Sequence, residues 1–186
     1  MLPNLITIGR VLLIPCFALA WVRGFDVLAL VLFAVAGVSD LLDGLLARLL
    51  NQQSYLGQIL DPAADKLMGL VAFLLAAWLH AIPVWLAALV IGRDLVLVSG
   101  GALFAFVLPG RFDPKQWRPT RLGKYATFCQ VLTIACAIAI SVWPQPLTRQ
   151  YLGVLVIMSA VMTTVATVQY VFFSVRAIST RKRSLP

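Results

Sequence analysis

The sequence predicts an all-α integral membrane protein, a bundle of about six transmembrane helices, on two observations. Of 186 residues, 61% are hydrophobic and only 12% charged, whereas soluble domains carry about 25% charge; the mean hydropathy is +0.95. The apolar residues are also gathered into runs, at about residues 5 to 22, 27 to 48, 57 to 79, 84 to 107, 122 to 143 and 148 to 172, each near the ~20 residues needed to cross the hydrocarbon core. No stretch between them is long enough for a soluble domain. The chain therefore reads as one transmembrane domain over residues 1–186.

The first run opens at Pro3, with Asn4 and Thr7 as residues that cap helices well. It has no basic leader. Ala18-Leu19-Ala20 imitates a cleavage site, but Gly9 and Arg10 interrupt a signal-peptide pattern, so the run is expected to be a retained helix. Asn51, Gln52, Gln53 and Ser54 form a polar hairpin turn between the second and third runs. Pro62 removes a backbone amide directly after Asp61, which predicts a loosened helix there. The fourth run contains Arg93-Asp94; adjacent residues do not share a helix face, so each needs its own partner. Pro109 to Lys124 is the longest polar connection, and Arg118, Arg121 and Lys124 recur in it every three residues, as one basic stripe leading into the fifth run. His80 reads as an interfacial filler. Cys16, Cys129 and Cys136, scattered through apolar runs, read as small core residues rather than a disulfide framework.

Loop charge sets the expected orientation. Arg48, Arg111, Lys115, Arg118, Arg121, Lys124, Arg176, Arg181, Lys182 and Arg183 fall on one side, against Arg23 and Arg149 on the other. The rich side, with both termini, is expected to be cytoplasmic, in a bacterial inner membrane. Trp21, Trp78, Trp85 and Trp143 fall at the opposite ends, as an aromatic belt does. The Arg181-Lys182-Arg183 tail suits anionic lipid rather than nucleic acid.

Against this apolar background the acidic residues are concentrated. The chain has seven and no glutamate, and four of the seven, Asp40, Asp43, Asp61 and Asp65, lie within the stretch Ser39 to Lys66. Helical residues three or four apart share a face, so two adjacent helices would converge these four carboxylates. Unpaired, such a cluster is costly in a low dielectric. A divalent cation meets that need, and an all-oxygen set suits Mg2+ or Mn2+ rather than zinc. The competing reading is a set of intrahelical salt bridges with Arg48 and Lys66; ionisable residues within membrane segments favour the functional one. Gly44 and Gly57 leave room for a ligand to approach the backbone.

The pattern D-x2-D-G-x2-A-R-x8-G-x3-D-x3-D, at Asp40, Asp43, Gly44, Ala47, Arg48, Gly57, Asp61 and Asp65, resembles the signature of the CDP-alcohol phosphatidyltransferases without a departure. PNLITIGRVLLIP, LDPAADK and RPTRLGK resemble the glycerol-accepting branch. The resemblance implies transfer of the phosphatidyl group of CDP-diacylglycerol to a glycerol-type acceptor, with two divalent ions, release of CMP, and a homodimer in the lipid bilayer. It places Asp40, Asp43, Asp61 and Asp65 around the metals, with Asp65 as the base. Asn4, Thr7, Asp40, Gly44, Arg48 and Gly57 fall beside the CDP moiety.

Arg93, Arg118, Arg121 and Lys124 are the candidate cations for an acceptor phosphate, although Arg93-Asp94 also fits a purely structural network. The cations around the fifth run favour glycerol 3-phosphate as acceptor. Arg93-Asp94, where phosphatidylglycerophosphate synthases more often read Gly-Arg-Glu, and the wording Asp40-Leu-Leu-Asp43 look more like cardiolipin synthases, whose acceptor is phosphatidylglycerol. A metal-ion transporter is the different-class alternative, but its carboxylates usually sit at the midplane on inverted repeats, which are not evident here. A non-catalytic lipid-binding protein would not need four acids.

Overall fold

The computed structural model describes the backbone of residues 2–50, 55–107 and 121–182, and the side chains of residues 9–39, 64–100 and 122–172. The described residues form six helices: α1 (Leu2–Val22), α2 (Asp26–Leu50), α3 (Tyr55–Trp78), α4 (Val84–Val107), α5 (Arg121–Val142) and α6 (Pro146–Lys182). There is no strand among them. The six apolar runs coincide with these helices to within a few residues, except that α6 continues ten residues past the predicted end at 172. Hydropathy stops there, but backbone hydrogen bonding does not require apolar side chains. The helix also continues unbroken through Pro62. The hairpin expected at residues 51–54 and the connection at 108–120 lie outside the described residues.

Short connections at one end of the bundle make successive helices antiparallel, and two of them are built alike. At the end of α1, Gly24 N–H donates to Trp21 O and Phe25 N–H to Ala20 O; at the end of α3, His80 N–H donates to Ala77 O and Ala81 N–H to Ala76 O. Each is a paired closure of the last helical turn around a left-handed residue. Gly24 takes φ 76° at no steric cost, whereas His80 takes φ 55° with a side chain attached. His80 is therefore part of a helix stop rather than only a filler.

α1 packs on both α2 and α3, α3 on α4 and α5, α2 on α5, α4 on α6, and α5 on α6. Spacings of three and four carry the core. On α1 the buried stripe is Arg10, Ile14, Phe17 and Trp21, and on α3 it is Ala64, Met68, Ala72 and Ala76. The alanines let helix backbones approach closely, while Phe17 fills the space beside them, its ring 5.6 Å from Trp21 and 5.7 Å from Phe33. α5 and α6 are laced by neutral polar groups: Gln130 Nε2 donates to Thr163 Oγ1 at 2.8 Å, and Thr133 Oγ1 to Leu155 O at 3.3 Å.

The outside is apolar. Leu12, Leu19, Val31, Leu95, Phe128, Ile157 and Val168 are all exposed, on five of the six helices, far more than a water-soluble surface tolerates. Two described helical segments, Leu122–Val142 and Pro146–Phe172, are long and apolar enough to cross a membrane. Trp78, Trp85 and Trp143 are exposed at the end carrying the short connections. Trp21 departs from the expected belt: it is buried and closes the inner stripe of α1. Cys16 departs from the expected core and is exposed, whereas Cys129 is buried and Cys136 half-buried; all three thiols are free.

Candidate active site

Asp40, Asp43, Gly44 and Arg48 are helical residues in the last turns of α2, and Gly57, Asp61 and Asp65 in the first half of α3. The side chains of Asn4, Thr7, Asp40, Asp43, Arg48, Asp61 and Arg121 and the surroundings of Gly44 and Gly57 lie outside what is described, and Arg118 lies outside it altogether. α1 and α5 each pack on both α2 and α3 and so tie the two signature helices together.

Of the signature carboxylates, Asp65 is described in full. Arg10 Nη1 on α1 donates to Asp65 Oδ1 at 2.6 Å. The arginine side chain is 2% exposed and the aspartate 45%, so the cation approaches from the core and the carboxylate looks out to accessible space. Asp65 lies thirteen residues before Trp78 at the far end of α3, about 20 Å at 1.5 Å per residue. That puts it in the half of α3 away from Trp78, toward the end where α2 leads into α3.

The next residue, Lys66, reaches the other way. Its Nζ donates to Asp94 Oδ1 on α4 at 2.6 Å, so Lys66 is not the intrahelical partner of the signature aspartates. The expectation that Arg93 and Asp94 each have their own partner holds for Asp94, which takes Lys66, but the ion neighbour of Arg93 is Asp94 itself. The Arg93 side chain is only 7% exposed and its Nη1 stands 3.6 Å from Asp94 Oδ1, buried and without a hydrogen-bond partner. A buried guanidinium with an unused N–H is suited to an anion. Lys124 is exposed in the first turns of α5, away from any ion pair among the described residues.

Among the described residues no three acidic, histidine or cysteine side chains converge as a metal cage; Asp40, Asp43 and Asp61 are not among those side chains. The donor chemistry nevertheless fits a hard divalent ion, since the signature offers carboxylates and no His or Cys. The carboxylate that is described, Asp65, is half exposed rather than enclosed by its arginine.

Comparison with known proteins decides the family. The family model described as CDP-alcohol phosphatidyltransferase matches residues 1–175. The chain belongs to this family. CDP-alcohol phosphatidyltransferases are membrane-associated enzymes that use a CDP-alcohol, an alcohol acceptor and divalent metal ions.

Among curated relatives, a Pseudomonas fluorescens protein named CDP-diacylglycerol–glycerol-3-phosphate 3-phosphatidyltransferase is 46% identical over 144 residues, 74% of this chain and 72% of its own length. The Aquifex aeolicus protein of the same name is 30% identical over 90% of this chain and 92% of its own length. A Drosophila melanogaster protein named probable cardiolipin synthase (CMP-forming) is 34% identical over 76% of this chain and 48% of its own length. The chain thus spans about half the length of that fly relative.

Two charged residues escaped the sequence reading of the site. Arg10 registered only as an interruption of a signal-peptide pattern, although it falls at the four-and-three spacing of Ile14, Phe17 and Trp21, an inward stripe with a charge at its head. Lys66 registered only as a possible intrahelical counter-charge. Its pairing with Asp94, 28 residues away, leaves no trace in local spacing.

Proposed function

We propose that this CDP-alcohol phosphatidyltransferase moves the phosphatidyl group of CDP-diacylglycerol to glycerol 3-phosphate, giving phosphatidylglycerol phosphate and CMP. The observation that carries this is the full eight-position signature falling on α2 and α3, with its last carboxylate, Asp65, half exposed in an otherwise apolar bundle. The identity with the Pseudomonas relative supports the acceptor.

In this reading the chain is one transmembrane domain of six spans, homodimeric, in a bacterial inner membrane, with both termini and the site on the cytoplasmic side. The exposed Trp78, Trp85 and Trp143 at the opposite end support that orientation. Asp40, Asp43, Asp61 and Asp65 hold two divalent ions, Mg2+ or Mn2+, which supply charge stabilisation at the diphosphate. Asn4, Thr7, Gly44 and Gly57 border the cytidine diphosphate, and Arg48 offsets its phosphate charge. Asp65 takes the proton of the acceptor hydroxyl. The acceptor oxygen bonds to the phosphorus carrying diacylglycerol as the bond from that phosphorus to CMP breaks, in line and without a covalent enzyme intermediate. Arg93, with its unused buried N–H, together with Arg118, Arg121 and Lys124, holds the acceptor phosphate.

A second reading, with phosphatidylglycerol as acceptor, is favoured by one contact. Asp94 occupies Lys66 and stands beside Arg93, which lowers the net positive charge there and suits a singly charged phosphodiester. Purified protein in detergent, given CDP-diacylglycerol and divalent ion with glycerol 3-phosphate, phosphatidylglycerol, serine or inositol phosphate, tests both. Phosphatidylglycerol phosphate as the main lipid product is expected; cardiolipin would select the second reading, and no CMP release with any acceptor would reject transfer.

A further inference from the structure

Arg10 is the most deeply buried charged side chain described, 2% exposed at the head of the α1 stripe Ile14, Phe17 and Trp21. Burying a guanidinium is unfavourable unless its partner geometry is good, and an apolar residue there would extend the stripe without that cost. What distinguishes the position is its partner: Nη1 donates at 2.6 Å to one oxygen of a carboxylate whose side chain is 45% exposed. The pair is asymmetric, with the cation fixed inside the bundle and the anion at its accessible side.

We propose that Arg10 is a positioning residue for the transfer step: it holds Asp65 through Oδ1 from the core side and so fixes the orientation in which the carboxylate meets the acceptor hydroxyl. The inference rests on Asp65 being the base. A carboxylate on a helix has rotatable side-chain torsions, and a misplacement of about 1 Å from a proton donor can cost on the order of a hundredfold in rate. A guanidinium donates to Oδ1 from a rigid planar group, whereas a lysine ammonium at the same place is a point charge on a flexible stem. Because α1 packs on α2 and α3, the grip also sets the first helix against the helix that bears the base.

The test uses the full chain in detergent with wild type, Arg10→Gln, Arg10→Lys, Asp65→Asn and the double variant Arg10→Gln/Asp65→Asn. It measures kcat, both KM values, CDP-diacylglycerol affinity and Tm. Arg10→Gln is expected to lower kcat by about 30- to 100-fold, in the range of orienting partners, while CDP-diacylglycerol affinity stays within about threefold. Arg10→Lys is expected to restore Tm but no more than about a tenth of kcat. In the Asp65→Asn background Arg10→Gln is expected to cost no further rate, because the residue it orients is already disabled.

A purely structural Arg10 gives the opposite pattern, with lower Tm and wild-type kcat per folded molecule, and that result overturns the proposal. An equal further loss in the Asp65→Asn background overturns it too. Should Arg10→Gln fail to fold, Arg10→Lys decides alone, since full kcat there shows that charge without geometry suffices. A wild type that releases no CMP removes the transfer reading itself; a working wild type with an indifferent Arg10→Lys removes only the positioning role.

Discussion

Between α1, α3 and α4 the polar contacts join charged groups, Arg10 with Asp65 and Lys66 with Asp94; between α5 and α6 they join neutral ones, Gln130 with Thr163 and Thr133 with the Leu155 carbonyl. Both sets lie within apolar helices, yet their physical consequences differ. Arg10 is buried, and breaking its pair leaves an uncompensated charge in the core, whereas Lys66 and Asp94 are partly exposed and their pair adds little net stability. A neutral interhelical hydrogen bond is cheap to bury and contributes modestly to association. The contrast teaches that the buried cation Arg10 needs its carboxylate partner, the feature the proposed site rests on, whereas the neutral half only holds two helices together.

The largest effect expected from this contrast belongs to the charged half. Asp65→Asn should lower turnover by about 10²- to 10⁴-fold, the usual worth of a general base, while CDP-diacylglycerol binding remains near wild type and unfolding is little changed. Parallel loss of donor affinity would make Asp65 a metal ligand before it is a base. Further out, Arg118→Ala should raise the KM for glycerol 3-phosphate at least about tenfold, about 1.4 kcal/mol for a charged phosphate contact, with the KM for CDP-diacylglycerol almost unchanged. Indifference of that KM would remove Arg118 from the acceptor site.

The neutral half should respond in the other direction. Gln130→Leu removes the bond to Thr163 and should cost about 0.6–2 kcal/mol of stability, read from unfolding in denaturing detergent, with kcat per folded molecule unchanged. A loss of rate at constant stability would blur the contrast between the halves. Smallest of all, His80→Gly should stabilise by about 1 kcal/mol, because it relieves a side chain at φ 55° in the left-handed region, visible as a small rise in Tm. A fall in Tm would mean that the imidazole makes contacts worth more than the strain.

Much of this was legible in the sequence, because a bilayer imposes a simple rule: runs of about 20 apolar residues become helices, and α1 to α5 follow their runs closely. α6 outlasts its run because helix formation does not end where lipid does. The charged cluster was legible because seven acids in 186 residues make each one conspicuous. Side-chain direction was not. Trp21, at a helix end like Trp78, turns inward because it continues the register of Ile14 and Phe17, whereas Trp78 does not share such a stripe. Arg10 follows the same register. Lys66 with Asp94 and Arg10 with Asp65 are tertiary pairings, set by how α1, α3 and α4 lie against one another, which periodicity within one helix does not encode.

The most direct measurement on the central claim, that the α2 and α3 carboxylates carry metal-dependent phosphatidyl transfer, is CMP release from CDP-diacylglycerol by wild type, Asp43→Asn and Asp61→Asn, alongside Mn2+ affinity by electron paramagnetic resonance. Wild type should release CMP only with divalent ion present. Each variant should lose at least about a hundredfold, as much as or more than outer-sphere partners cost, with weaker Mn2+ binding. Near-wild-type release from either variant, or release that persists in chelator, would contradict it.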